Sequence, residues 1–529
     1  MTPPLPNRRA ALGALTALGA FGALASGCVG PDRPAPLLEP VPPLSPPPGG
    51  ADVTPPWPAA DLPPAAPREV RGAWIATVAN IDWPSRTGLT AAEQQGEMGL
   101  LLQAAQQTGL NAVVLQVRAA GDALYPSSLE PWSRSFTGTQ GTSPGYDPLA
   151  FAVAQARLRG LEVHAWFNPF RAGNLSDTLR LAPQHFAMRR PDLVRRHCGQ
   201  LWFDPGENAV HDQAIAVVRD VIARYDVDAV HIDDFFYPYP GTACQGDFPD
   251  SAVYARYTAG GGTLSRADWR RDNVNRFVER LYREAHDARA TVRVGISPFG
   301  IWRPGNPAGI TGLDAYASIY ADSRLWLRRG WVDYFAPQLY WSIASTGQSF
   351  PALLGWWAQQ NTQRRHLWPG LASYRIADGS SSPYSATEIP AQIALARDQA
   401  QTTGGATGTI FYNGSSVRTN RGGFATTLAS GLYSAGAIPP ATTWLDDTPP
   451  TDPAITVAPG ASVAQVTLAT TSADSWWWLV RWRAGGTWRQ RLLPVTQRTV
   501  DVASAGLEGV VVNAIDRVGN ASGTVVWRP

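Results

Sequence analysis

Two adjacent acids close an apolar run in the middle of the chain, within VDAVHIDDFFYPYP at residues 227–240. Asp233 and Asp234 follow a stretch with the composition of a buried strand, where neighbouring carboxylates repel each other and lose hydration. Hydrolysis of a glycosidic bond uses two such groups. One protonates the leaving oxygen, and another carboxylate activates water or attacks the sugar. We therefore interpret Asp233 and Asp234 as candidate catalytic residues.

The second catalytic charge has several candidates. Adjacent side chains diverge, so the pair alone seldom supplies both functions. Asp122, in the loop after the second predicted strand, and Glu207, in the segment WFDPGE, are alternatives to Asp234. An N-acetylated substrate could also supply its own acetamide as the nucleophile. In that version Asp233 is the general acid, and Asp234 orients or polarises the substrate.

Further polar and aromatic side chains recur at the ends of predicted strands. Period-2 alternation places seven of them on inward faces: Arg118, His164, Trp166, Asn168, Gln338, Tyr340 and Tyr412. Several inward polar residues are costly to bury unless they serve a site. Besides Asp122 and Glu207, the candidate substrate-binding residues are Arg118, His164, Trp166, Asn168, Tyr237, Gln338, Tyr340, Trp341 and Tyr412. Hydrogen bonding to hydroxyl or acetamido groups is expected of the polar members, and stacking on sugar rings of Trp166, Tyr237 and Trp341.

Alternating strand and helix patterns must position these residues. The predicted strands cover 70–78, 111–118, 161–169, 228–236, 292–300, 332–341, 365–374 and 407–413. The predicted helices cover 90–108, 147–159, 208–225, 268–288, 321–329, 351–361 and 388–402. Eight such strands predict an α/β fold, a (β/α)8 TIM barrel over residues 69–440, with the site at the carboxyl ends of its strands. An open doubly wound sheet is the alternative, but no G-x-G-x-x-G follows the first strand.

The C-terminal segment has a different pattern. Residues 445–529 contain short strand patterns separated by turns, which predict a small fibronectin type III-like or immunoglobulin-like β-sandwich. Its expected role is packing or wall binding rather than chemistry. The run Trp476 to Trp478 could stack on a glycan, although alternation along a strand places at least one of these rings in the core.

The N-terminus indicates export. Arg8 and Arg9 precede the apolar run at residues 11–27, and LASGC at residues 24–28 resembles a lipobox. Residues 1–28 therefore predict a lipoprotein signal peptide with lipidation at Cys28, and the Pro-rich residues 29–68 predict a linker. We expect a lipid-anchored protein of the cell envelope, on the outer membrane facing the periplasm.

Composition excludes several classes. Charged residues make up 16% of the chain and the net charge is +2, so no basic face for nucleic acid is evident. No spacing typical of a structural zinc site occurs, and we expect neither a metal nor another cofactor. An oxidising compartment would permit a disulfide between Cys198 and Cys244, but sequence does not give the separation that a bridge requires.

Six ordered motifs resemble one known family. They are RGAWIATVANIDWP, LQVRAAGDALYPS, VHAWFNPFRAG, WFDPGE, HIDDFFYPYP and PQLYW. Together, over roughly residues 69–415, they resemble the bacterial glycosyl-hydrolase-like family 10 lipoproteins. The resemblance implies a (β/α)8 barrel, an envelope location, and cleavage of peptidoglycan glycan strands that lack stem peptides. It places the acidic pair of the family on Asp233 and Asp234.

Two other functions share these features. The first is hydrolysis of another polysaccharide, because specificity depends on loop geometry. The second is a non-catalytic glycan-binding lipoprotein, which would bind sacculi without releasing reducing ends.

Overall fold

The computed structural model describes Trp57 and residues 61–241, 243–244 and 246–529. The predicted signal segment 1–28, its lipidation site Cys28 and most of the predicted linker 29–68 lie outside the described residues. Within the described part, no helix has the length and apolar character needed to cross a membrane. Lipid anchoring therefore stays a prediction.

A parallel sheet forms the main body of the chain. The strands up to residue 412 are β1 (Val70–Ile75), β2 (Ala112–Arg118), β3 (Glu162–Phe167), β4 (Arg171–Asn174), β5 (Val194–His197), β6 (Gln200–Phe203), β7 (Ala229–Ile232), β8 (Arg293–Ile296), β9 (Tyr334–Phe335), β10 (His366–Leu367), β11 (Gly370–Leu371) and β12 (Gly408–Phe411). Nine of them form one sheet in the order β10-β9-β8-β7-β3-β2-β1-β12-β11. Every pairing recorded in this sheet is parallel. The sheet and its helices have the arrangement of an α/β barrel.

All eight predicted strands are present, with shorter bounds than the patterns suggested. The seventh is divided: β10 pairs with β9, while β11 pairs with β12. Trp368 and Pro369 separate the two pieces. Proline has no N–H to donate to a sheet ladder, which accounts for an interruption at this point.

The predicted helices are also confirmed, within a few residues at each end. The helices are α1 (Ala91–Thr108), α2 (Arg134–Thr137), α3 (Pro148–Arg157), α4 (Phe186–Arg189), α5 (Asn208–Arg224), α6 (Ser251–Ala259), α7 (Arg266–Ala288), α8 (Ala315–Ser318), α9 (Ser323–Arg329), α10 (Phe350–Gln360), α11 (Glu388–Gln399), α12 (Gly414–Arg418) and α13 (Phe424–Ser430). Local capping begins several of them. Thr90 and Glu93 form a capping box at α1, and Asp147 and Ser265 accept backbone N–H groups at α3 and α7.

The long insertion between β3 and α5 contains its own small sheet. Strands β4, β6 and β5 pair antiparallel in that order. A disulfide joins Cys198, in the turn between β5 and β6, to Cys244, in the loop after β7. The disulfide sulfur of Cys244 lies 3.4 Å from the backbone oxygen of Tyr239. The bridge therefore ties the insertion to the loop that follows the acidic pair.

We expect reduction of this bridge to loosen that loop. The Cys198→Ser/Cys244→Ser variant removes a link across 46 residues, which is expected to lower the free energy of unfolding by about 2–4 kcal/mol. Hydrolytic activity should fall as well, because the loop carries Tyr239. Denaturant unfolding and activity with and without a thiol reductant check this. A variant that keeps wild-type stability and activity would show that the bridge has neither role.

Two antiparallel sheets form the C-terminal segment. Their strands are β13 (Ala454–Ala458), β14 (Val463–Ala469), β15 (Ser475–Ala484), β16 (Thr487–Pro494), β17 (Thr499–Ala503), β18 (Leu507–Asp516) and β19 (Val525–Trp527). The sheet orders are β13-β14-β17 and β16-β15-β18-β19. Alternate residues of β14, β15, β17 and β18 share one buried apolar cluster. Two sheets around one core are compatible with the predicted sandwich, and the fibronectin type III-like assignment stays a prediction.

The three consecutive tryptophans pack against other residues of the protein. Trp477 is 1% exposed and Trp478 is 0% exposed. Trp476 donates through Nε1 to Asp228, which precedes β7 at the amino-terminal end of the barrel strands. The guanidinium carbons of Arg157 and Arg517 lie 3.6 and 3.3 Å from the centre of a Trp476 ring. The run thus joins the C-terminal sheets to the barrel end opposite the predicted site.

We expect Trp476→Ala to destabilise the protein by about 2–4 kcal/mol, because it removes two cation–π contacts and a hydrogen bond to the buried Asp228. Trp476→Phe should cost less, since it keeps an aromatic face for the two arginines and loses the N–H and one ring of the indole. Denaturant unfolding of both variants measures the difference. Weaker binding to sacculi without any loss of stability would instead identify Trp476 as a glycan contact.

Candidate active site

The acidic pair lies where β7 ends, at the carboxyl end of the barrel strands. Asp233 follows the last strand residue, Ile232. Asp233 is 4% exposed and Asp234 is 6% exposed. Ile232 belongs to the core between sheet and helices, so alternation directs the neighbouring Asp233 to the barrel interior, as predicted.

Donors from β3 and the following loop hold the carboxylate of Asp233. The indole Nε1 of Trp166 donates to Oδ2 over 3.1 Å, and Nδ2 of Asn168 lies 3.2 and 3.3 Å from the two oxygens. The backbone N–H of Phe235 approaches Oδ1 at 3.5 Å. Both oxygens therefore face protein donors. The structure brings Trp166 and Asn168 to the site as hydrogen-bond donors, which differs from the stacking role predicted for Trp166.

Asp234 has different partners. The hydroxyl of Tyr239, five residues further along the chain, donates to its Oδ2. The side chain of Gln338 also interacts with Asp234 and favours the ionised carboxylate. Gln338 is itself held by a 2.9 Å hydrogen bond from Nε2 to the backbone oxygen of Ser297. Gln338 is therefore brought to the pair, as predicted.

The pKa of each carboxyl lies above its ordinary value. Burial is the main cause of the raised pKa of Asp233, about 7, and the charge of Asp234 adds to it. Hydrogen bonds from Trp166 and the Phe235 backbone act in the opposite direction. Burial also raises the pKa of Asp234, against the hydrogen bonds from Tyr239 and Gln338.

This electrostatic arrangement suits acid catalysis. Two adjacent carboxylates in low dielectric favour a single negative charge between them, because the second ionisation must overcome the first. A carboxyl that still holds its proton near neutral pH can protonate a leaving oxygen. The neighbouring charged group can then orient a substrate or stabilise developing positive charge.

Aromatic side chains surround the mouth of the barrel. Tyr340 and Tyr412 stack with their ring centroids 5.8 Å apart, and Tyr374 packs edge-on against both. The rings of Phe299 and Trp341 are 5.6 Å apart. All five are partly exposed. The predicted residues Tyr340, Trp341 and Tyr412 thus belong to a rim that offers flat apolar faces to a sugar.

Below the rim, a hydrogen-bonded chain fills the barrel interior. Trp74 donates to Nε2 of His231, so Nδ1 of His231 carries the proton and donates to the hydroxyl of Tyr334. Tyr334 in turn donates to Nδ1 of His164, whose Nε2 donates to Glu162. Burial lowers the pKa of both histidines, which keeps them neutral. His164 is fully buried in this chain, so its expected contact with substrate is replaced by a structural role.

The side chain of Arg118 is also bound by other residues of the protein. Its guanidinium forms two hydrogen bonds with Glu130, at 2.8 and 2.5 Å, and donates to the backbone oxygens of Asn168 and Pro169. Because Arg118 is 1% exposed, its side chain positions the segment that carries Asn168 and does not reach a sugar. Asp122 is 4% exposed and accepts the N–H of Ala120, in the loop after β2.

Two further predicted residues lie away from the acidic pair. The carboxylate of Glu207 pairs with Arg256 at 2.5 Å and with Arg195 at 3.5 Å, beside α5, so its charge is already compensated. Tyr237 is 1% exposed and packs edge-on against Phe248 and Tyr320. Neither residue contacts Asp233 or Asp234. Because it is buried, Tyr237 does not offer a ring face for the stacking role expected of it.

The sequence interpretation missed Tyr239, Ser297 and Arg171. Tyr239 could have been predicted from the sequence, because it is the second tyrosine of YPYP and follows the acids in the same loop. Ser297 follows β8 and donates to Nε2 of His231 at 2.8 Å. Arg171 lies in FNPFRAG and begins β4, a strand of an insertion whose orientation no local pattern reveals.

Potential metal ligands cluster elsewhere. Among the described residues, two groups bring such atoms within 4.8 Å of one another: His197 with the disulfide-bonded Cys198 and Cys244, and a second group of Asp446, Asp474 and Asp516. Disulfide sulfurs are not thiolate ligands. Neither group includes Asp233 or Asp234.

An α/β barrel with a buried pair of protonatable carboxyls and an aromatic rim has the parts of a glycoside hydrolase. Comparison with known proteins gives the same class. The model of the family "Glycosyl hydrolase-like 10" matches residues 69–385. The chain belongs to this family, and it is a glycoside hydrolase.

Two named relatives resemble most of the chain. Glycosyl hydrolase YngK of Bacillus subtilis is 40% identical over 74% of this chain and 76% of its own. Glycosyl hydrolase DigH of Escherichia coli K12 is 36% identical over 62% of this chain and 79% of its own. Among solved structures, the PgaB (BpsB) glycoside hydrolase domain of Bordetella bronchiseptica matches 70% of this chain and 99% of that one, with 14% identity and a TM-score of 0.47.

Proposed function

We propose that this enzyme hydrolyses glycosidic bonds in peptidoglycan strands that lack stem peptides. The acidic pair at the end of β7 carries the proposal, because its environment lets one carboxyl keep a proton near neutral pH. The aromatic rim supports a polysaccharide substrate. The six motifs that resemble the family 10 lipoproteins support the choice of peptidoglycan.

Asp233 is assigned as the general acid, and Asp234 as the group that orients and polarises the substrate. An acetamido group next to the scissile bond would then supply the nucleophile, which removes the need for a third carboxylate. Three observations support this division. Asp122 and Glu207 have other partners, burial raises the pKa of Asp233 to about 7, and hydrogen bonds from Tyr239 and Gln338 oppose the rise in the pKa of Asp234.

The remaining proposals concern the whole chain. The barrel is proposed to be a complete (β/α)8 TIM barrel, followed by a fibronectin type III-like sandwich that braces its amino-terminal end. Lipidation at Cys28 is supported by Arg8 and Arg9, the apolar run at residues 11–27 and the lipobox-like LASGC. An outer-membrane location facing the periplasm is supported by Val29 after Cys28, where Asp would resemble an inner-membrane retention signal.

Digestion of a panel of purified glycans tests the substrate. The panel contains amidase-treated peptidoglycan strands, intact peptidoglycan, chitin oligosaccharides and an exopolysaccharide, with products read by mass spectrometry. We expect soluble fragments from the amidase-treated strands and little from intact peptidoglycan. Preferential cleavage of another glycan would replace the proposed substrate. Binding to sacculi without release of fragments from any glycan would contradict hydrolysis.

A further inference from the structure

Arg171 lies beside the acidic pair, where its charge interacts with that of Asp233. It begins β4, and its backbone N–H donates to Oδ1 of Asn168 over 2.9 Å. Asn168 donates in turn to Asp233, so a single side chain links Arg171 to the general acid. The guanidinium carbon of Arg171 lies 5.7 Å from the ring centre of Phe235. Arg171 therefore belongs to the wall of the mouth on the insertion side.

No partner in the described part of the chain satisfies this guanidinium. Nε of Arg171 is buried and has no hydrogen-bond partner there, and no ion pair to the side chain occurs among the same residues. The nearby acids have other hydrogen-bond partners. Asp233, whose charge acts most strongly on Arg171, accepts from Trp166 and Asn168. Asp177 pairs with Arg134 at 2.6 Å, and Asp122 accepts the N–H of Ala120. The buried Nε–H of a charged side chain is costly to leave without an acceptor, which indicates an acceptor supplied from outside the chain.

The chemistry of arginine narrows the kind of acceptor. The planar guanidinium offers parallel N–H donors that match a carboxylate in a bidentate arrangement. Asp233 and Asp234 make the mouth acidic, so an anionic substrate group needs a local cation to enter it. Burial lowers the pKa of Arg171, and the charges of Asp233, Asp122 and Asp177 oppose this effect, so the group stays cationic.

We propose that Arg171 binds the free lactyl carboxylate of a muramic acid residue in the substrate. This inference rests on the proposed function. In intact peptidoglycan that carboxyl is part of the amide bond to the stem peptide and carries no charge. Removal of the peptide exposes the carboxylate that Arg171 can pair with. Arg171 is thereby a specificity-determining residue that distinguishes bare strands from peptide-bearing ones.

A chemically neutralised substrate tests the pairing. Amidase-treated strands are used as they are, or after conversion of the lactyl carboxylates to N-methylamides, which remove the charge and add little bulk. For the wild-type enzyme we expect neutralisation to lower kcat/KM by about 10- to 100-fold, the range of a charge-assisted hydrogen-bonded pair. Arg171→Gln should lose a similar factor on the untreated strands and show no further loss on the neutralised ones.

Two more variants control for general damage. Arg171→Lys keeps the charge without the planar fork, so it should retain part of the preference. Arg190→Gln removes an exposed arginine whose ion pair, among the described residues, is with Asp192, and it should behave as wild type. Equal activity of the wild type on both substrates, or undiminished discrimination by Arg171→Gln, would overturn the proposal.

Binding measurements separate this inference from the proposed function. In the Asp233→Asn background, affinity for untreated and neutralised strands is compared with and without Arg171→Gln. Preferential binding of the untreated strands that depends on Arg171 supports the inference even if no hydrolysis is found, whereas equal binding contradicts it.

Hyaluronan, whose carboxylates are on uronic acid rings, should not be cleaved. Cleavage of hyaluronan at a comparable rate would overturn the assignment to a lactyl group.

Discussion

Asp233→Asn is expected to lower kcat/KM on bare glycan strands by about 10²- to 10⁴-fold while the protein stays folded. Asparagine has a similar shape and can still accept from Trp166 and Asn168, but it cannot donate a proton to the leaving oxygen. Stability should not fall, because the exchange removes the repulsion within a buried acidic pair. Reducing-end release measures the activity, and thermal unfolding measures the fold.

A matched control uses an aspartate outside the site. Asp192 is exposed, pairs with Arg190 and lies in the insertion before β5. Asp192→Asn should keep wild-type kcat/KM, so a loss confined to Asp233→Asn would follow from the position of the carboxyl. Substantial activity of a folded Asp233→Asn protein would move the role of the acid to another residue.

Asp234→Asn is expected to have two effects. The rate should fall by about 10²- to 10³-fold, because a charged group that orients the substrate is lost. The pH dependence should also change. The charge of Asp234 raises the pKa of Asp233, so its removal lowers that pKa. A general acid works only while protonated, and the fall in activity with rising pH should therefore begin about one pH unit or more lower than in the wild type.

The pH–rate profile of kcat/KM checks this second prediction. In the wild type, activity should decline as pH rises through about 7, the pKa of Asp233. Tyr239→Phe provides a graded comparison, because it keeps the charge of Asp234 and removes one donor that favours it. The pH at which the activity of Tyr239→Phe declines should stay near the wild-type value or shift slightly from it. An unchanged profile in Asp234→Asn would show that the two carboxyls do not interact.

Periodicity in the sequence was sufficient for most of the barrel. Strong alternation of strand and helix patterns predicted all eight strands and seven of the helices, but not α6, which is longer than α9. The division of the seventh strand was visible only as Pro369, whose missing N–H matters once neighbouring strands are known. The motif FNPFRAG carried no signal that β4 would fold back beside the mouth, because the path of an insertion depends on tertiary contacts.

The site was predicted in position and only partly in detail. Alternation correctly placed Asp233 inside the barrel mouth, and Asn168, Gln338 and Tyr340 lie near it. Alternation predicts that a residue faces the barrel interior, but it does not predict how far that residue lies from the mouth. The sequence therefore did not distinguish the buried His164 from residues at the mouth. Arg118 was ambiguous for another reason. Its partner Glu130 is in a loop twelve residues away, and no spacing rule connects them.

Isotope labelling tests the central claim most directly. Bare glycan strands are digested in H₂¹⁸O by the wild-type enzyme and by Asp233→Asn, and the fragments are analysed by mass spectrometry. Hydrolysis by the acidic pair requires one ¹⁸O at each new reducing end with the wild type and no fragments above background with the variant. Fragments without ¹⁸O, or equal labelled release by both proteins, would contradict it.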